Sequence, residues 1–167
     1  MQMYLSKLIR NIKEYDEGPG IEMMTFYGRK TVKARLLAVA VDLPAKAIVA
    51  NMKQYNGKFG CHMCFAEGAT PPNCPLHRYY PFGEYPSRTH DSIMCDARQA
   101  VTCGDSVRGV KGASPLVFLP YIDLTTIFPV DWMHCVLLGA TKAMLNLWFS
   151  KDSRGTQFYM GSKVSMC

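Results

Sequence analysis

The chain has 167 residues, 49% of them hydrophobic and 19% charged, enough for one domain with a core and too apolar for a disordered tail. Nineteen Lys and Arg against thirteen Asp and Glu leave a formal charge of +6, a sign that suits a polyanionic partner such as nucleic acid. No secretory leader and no membrane span are readable, since the apolar runs 36–50 and 135–149 are interrupted by Asp42, Lys46 and Lys142; a secreted enzyme and an integral membrane protein are both disfavoured.

In chain order, residues 1–15 place Met3, Leu5, Leu8, Ile9 and Ile12 at helical spacing between cations, which predicts an amphipathic helix. Gly18-Pro19-Gly20 ends it, leaving Asp16 in a turn, and a short extended piece, 22–27, leads into a basic run. That run carries Arg29, Lys30, Lys33 and Arg35, four cations in seven residues: a solvated face, or a contact for DNA phosphates. The Val-rich stretch 36–42 reads as a buried strand ending in Asp42. A helical pattern resumes over 45–55, with Pro44 near its first turn.

From Gly57 to about residue 113 the texture changes. Prolines and glycines break any long periodicity and cysteines concentrate, so a metal is the natural support for such a stretch. Beyond Ser114-Pro115 order returns, and Asp131 opens a helix over 132–149 with Val136, Ala140 and Met144 on one face. The reading is therefore an α/β chain in three parts: 1–56, a Cys/Pro/Gly-rich insertion 57–113, and 114–167. Its abrupt first and last elements read as those of a fragment.

Seven cysteines without secretory context favour metal ligation or free thiols over a disulfide framework, and so an intracellular chain. Cys61-His62-Met63-Cys64 is a C-x2-C knuckle whose two thiolates can share a tetrahedral zinc. Cys74 and His77 offer a second half-site, nine residues further on, and His134 is a competing distant ligand; free buried thiols are the alternative. Asp42, between an apolar run and a helix, is either a catalytic or metal-binding carboxylate or a helix cap. Asp131 and His134, at i and i+3, are either a metal-binding pair or a cap beside a core histidine. Phosphate loops, nucleophile elbows and H-E-x-x-H motifs are lacking.

Taken in order, Val41-Asp42-Leu43-Pro44-Ala45, Asn56-Gly57, Cys61-His62-Met63-Cys64, Arg88-Thr89-His90, Val110-Lys111-Gly112 with Ser114-Pro115, and Asp131-Trp132-Met133-His134 resemble the catalytic core of En/Spm (CACTA) type transposases. The motifs are individually weak and more specific as an ordered set, spanning about 35–149. The resemblance implies a partial RNase H-like core with a zinc-binding, cysteine-rich insertion. It implies DDE chemistry, in which three carboxylates hold two Mg or Mn ions for DNA cleavage and strand transfer. Asp42 matches the second catalytic aspartate, Cys61 and Cys64 the C-x2-C pair, and His134 the histidine of the D-x-M-H segment. No residue in 1–34 fits the first aspartate, and the final glutamate is expected beyond Cys167. With one of three carboxylates, the expectation is a transposase fragment inactive on its own. Its partners would be transposon ends and target DNA, its location nuclear (cytoplasmic for a non-functional remnant), and its full-length parent a homo-oligomer. The alternatives are a zinc-stabilised nucleic-acid or protein binding module without catalysis, and a decayed element that does not fold.

Overall fold

A computed structural model describes residues 2–72 and 77–161 and divides them into two compact units, 1–129 and 130–167. The first unit is mixed α and β. Helix α1 (Gln2–Glu17) is followed by an antiparallel hairpin of β1 (Ile21–Thr25) and β2 (Gly28–Val32), with Ile21 opposite Val32 and Thr25 opposite Gly28. Short helix α2 (Leu43–Val49) and longer α3 (His90–Cys103) come next, then a 3-10 turn at Pro115–Phe118. The hairpin is the only sheet among the described residues.

The amphipathic pattern of α1 is realised in part. Ile9 is buried in the core and Leu5 and Ile12 pack beside it, whereas Met3 and Leu8 of the same pattern are exposed, as are the cations Lys7 and Arg10. The helix runs two residues further than expected, so Asp16 lies in its last turn rather than in a loop. There its buried carboxylate accepts from Arg35 Nε at 3.1 Å. The core joins Ile9 to Ala50, Met52, Ile93, Ala97, Val110, Leu116 and Leu119, and to Ile122, Leu124, Ile127 and Phe128.

Two sequence expectations are corrected. Residues 36–42 form no strand: Val39 N–H donates to Ile127 O at 2.9 Å and Leu36 N–H to the Tyr121 hydroxyl at 3.1 Å, but no ladder runs alongside. Leu36, Val39 and Val41 pack on the core while Leu37 is exposed, so the segment is anchored through side chains and isolated bonds. The helix expected over 45–55 is shorter, because Ala50 closes α2 and Asn51 turns to a φ of 54°.

The stretch 57–113 contains a full helix that its prolines and glycines concealed. Thr89 caps α3 by accepting from Ser92 N–H while the Ser92 hydroxyl accepts from Thr89 N–H, a reciprocal capping box. Gly104 ends the helix at a φ of 72°, the left-handed geometry that glycine adopts without a side-chain clash. Ile93, Ala97 and Ala100 present one buried face.

In the second unit, Trp132–Thr141 forms a wide π-type helix that continues as α4 (Lys142–Phe149), in agreement with the expected 132–149 helix. None of its side chains is buried, including Val136, Ala140 and Met144. No helix among the described residues is long and apolar enough to cross a membrane.

Candidate metal centre

The cysteine knuckle is held from behind by one buried arginine. Arg88 is 3% exposed, and its Nε donates to the carbonyls of Cys61 at 3.0 Å and Cys64 at 3.1 Å while Nη2 donates to Arg108 O at 2.6 Å. Its backbone N–H donates to Met63 O at 2.8 Å, and Phe65 N–H to Pro86 O at 3.0 Å, so the knuckle is stitched to the strand-like 86–88 segment. A guanidinium can bind several carbonyls at once because its donors form a rigid planar fork.

The arginine needs a counter-charge, and α3 supplies one. Asp96 sits on the buried face of α3 with no solvent exposure, 3.6 Å from Arg88 Nη1 and gripped by both Nε and Nη2 of Arg108. Both guanidinium groups lie over the Phe65 ring, Arg88 at 4.5 Å and Arg108 at 4.7 Å from its centre. Burial pulls the Arg88 pKa down, partly offset by Asp96, and the bond to Asp96 pushes that of Arg108 up. Sequence reasoning missed this triad, although the signal was present: Asp96 shares the apolar stripe of Ile93, Ala97 and Ala100, and a buried carboxylate requires a cation.

On the other side of the knuckle the two sulfurs stand 3.4 Å apart, well beyond the roughly 2.05 Å of a disulfide. Met63 N–H points to Cys61 Sγ at 3.4 Å, and Ala66 donates a backbone hydrogen bond to the Cys64 sulfur. N–H donors aimed at sulfur stabilise a thiolate, the form that binds metal. Without a metal charge, burial pushes the Cys64 thiol upward despite the Ala66 bond. Both cysteines line an open cavity of about 510 Å³ walled by Tyr55, Tyr80, Phe82 and Tyr85. His62, between them in sequence, turns its ring edge to Phe128; burial, then Lys46 and Arg88, lower its pKa to about 4.

Two sulfurs are half of a tetrahedral zinc site. Among the described residues no group of three or more His, Cys, Asp or Glu side chains gathers to hold a metal. Of the candidate second half-site, Cys74 lies outside the described residues and His77 is exposed. In the second unit, Asp131 caps its helix by accepting from Met133 N–H at 3.0 Å and His134 N–H at 3.2 Å, while its other oxygen meets His134 Nδ1. That bond holds the Asp131 carboxyl below its usual range and leaves Nε2 as the His134 nitrogen open to a ligand.

Asp42 is the N-cap of α2, accepting from Ala45 N–H at 2.8 Å, which realises the capping alternative. Of the basic run, Arg29 faces Glu22 at 3.5 Å and Lys30 and Lys33 are exposed, whereas Arg35 binds Asp16 and lies 4.6 Å over the Tyr121 ring. Comparisons with protein families, curated proteins and solved structures find no match to this chain.

Proposed function

We propose that this chain carries part of the catalytic region of a CACTA-type DDE transposase, in which Cys61 and Cys64 hold a structural zinc. The observation that carries the zinc assignment is the knuckle clamped by Arg88: two sulfurs 3.4 Å apart, each approached by a backbone N–H, with their carbonyls immobilised from behind. The ordered motifs from Asp42 to His134 support the family reading. In it, residues 1–56 and 114–167 belong to an RNase H-like core around the insertion 57–113, to which a two-stranded sheet alone does not amount.

Zinc would cross-link the loop region and neutralise thiolate charge. The donor set fits it as far as two sulfurs, with Cys74 and His77 as candidates for the remainder. The described residues do not fit a two-metal catalytic centre, since they gather no set of carboxylates around Asp42. No cleavage step is therefore assigned to this chain, and DNA, as transposon end or target, is its partner by resemblance. The nucleus is the corresponding location, and the homo-oligomer belongs to the full-length parent.

A second reading is favoured by the helix-capping bond of Asp42. With that carboxylate engaged in capping, the chain is a zinc-stabilised binding module that has lost catalysis. Zinc stoichiometry with circular dichroism before and after chelation tests what the two readings share. We expect one zinc per chain, loss of cooperative melting on its removal, and loss of metal in the Cys61→Ser, Cys64→Ser double variant. Unchanged metal content and melting in that variant would refute the zinc assignment. Transposition by the full-length parent carrying Asp42→Ala separates the two readings: loss of the reaction supports the first, and an intact reaction the second.

A further inference from the structure

The hairpin β1–β2 stands out from the rest of the first unit because almost nothing covers it. Met23, Met24, Phe26 and Tyr27 are all exposed, the last two at 98% and 86%. An isolated two-stranded ribbon is marginal in water, yet this one is carefully closed. The Thr25 hydroxyl accepts from Tyr27 N–H at 3.2 Å and donates to Gly28 O at 2.8 Å, and Gly28 takes a φ of 95° that a side chain would oppose. The turn therefore displays two aromatic rings, packed edge to face at 5.6 Å, on a defined tip.

We propose that this hairpin is a DNA-contacting ribbon that enters the major groove tip first. The proposal rests on DNA being the partner, and it names the surface that meets it. Register is what carries it. Side chains opposite each other across an antiparallel pair share a face and successive ones alternate. Met24 and Arg29 thus lie on one face, and Met23 and Lys30 on the other.

One cation therefore flanks the aromatic tip on each side, and Lys33 follows further back. Glu22 is the single carboxylate within the ribbon, and its exposed 3.5 Å pair with Arg29 is of the kind that contributes little. The major groove admits a two-stranded ribbon and is bordered by phosphates on both sides, which matches a cation on each face. The rings at the tip then reach base edges and thymine methyl groups, while Arg29 and Lys30 contact phosphate. A lipid surface would instead favour apolar groups on one side with cations in a single plane above them, an arrangement this alternation does not provide.

The test is fluorescence anisotropy of the whole chain with a labelled 20-base-pair duplex over a range of salt. Wild type should bind. Arg29→Gln with Lys30→Gln should weaken binding about tenfold or more and flatten the slope of log affinity against log salt by roughly one per charge removed. Phe26→Ala with Tyr27→Ala should lose roughly tenfold while keeping the slope. All four positions are exposed, so melting should be unchanged in both variants.

Wild-type binding that neither variant alters would overturn the ribbon assignment and leave DNA as the partner. Absence of duplex binding by the wild type would overturn both. Two further results also count against the ribbon when duplex binding is intact: variant-sensitive binding to phosphatidylserine vesicles, or variant-sensitive dimerisation.

Discussion

The cysteine knuckle and the β-hairpin are both short antiparallel pairings in the first unit, and they are held by opposite means. Around the knuckle, Arg88 and Asp96 are withdrawn from water, and one side chain fixes the carbonyls of both candidate metal ligands. The hairpin keeps its ladder and its turn, but its large apolar side chains face solvent. Buried charge makes the first site rigid and intolerant of change. Exposure makes the second tolerant of change and available for contact. The hairpin has the longer ladder, five residue pairs against one isolated bridge at Cys64 and Ser87, yet the knuckle is the more firmly held because of what stands behind it.

That contrast can be broken most directly at Arg88. Replacing it with Ala leaves Asp96 buried with Arg108 alone and frees three carbonyl contacts, so unfolding free energy should fall by about 3–5 kcal/mol. Urea denaturation measures this, and a loss under about 1 kcal/mol would mean the network is more solvated than its burial indicates. Asp42 is an intermediate case, half-buried with one bond to Ala45. Asp42→Ala should cost about 1 kcal/mol, and Asp42→Asn much less, because an amide oxygen also caps. Should Asn prove as damaging as Ala in thermal melts, the carboxylate has a role beyond capping. At the hairpin the effect should be smallest: Met24→Ser should shift stability by no more than about 0.5 kcal/mol. A larger shift would show that the ribbon is packed against something in solution.

Much of the local structure was legible in the residues. The periodicity of Leu5, Ile9 and Ile12 marked α1, Asp131 marked the start of the 132–149 helix, and the C-x2-C spacing marked a turn that brings two sulfurs together. Helix α3 is written in Thr89, Ser92 and Gly104 as well, although the prolines before it break any longer periodicity. These features depend on groups within a few residues of one another, so short-range sterics and hydrogen bonding are enough to write them into the sequence.

Tertiary structure decided the rest. Residues 36–42 have the composition of a strand, but a strand exists only where a neighbouring ladder takes its N–H and C=O groups. Here Tyr121 and Ile127, distant in sequence, supply single bonds instead. Arg35 looked like one more surface cation until the fold placed Asp16 and Tyr121 beside it. Arg88, Asp96 and Arg108 became a network only when α3 packed behind the knuckle. By itself the sequence determined the helices, the turn of the knuckle and the charge of the ribbon, because those are set by near neighbours. Which charges are buried, and against what, depends on contacts between residues far apart along the chain, and only the folded structure decides them.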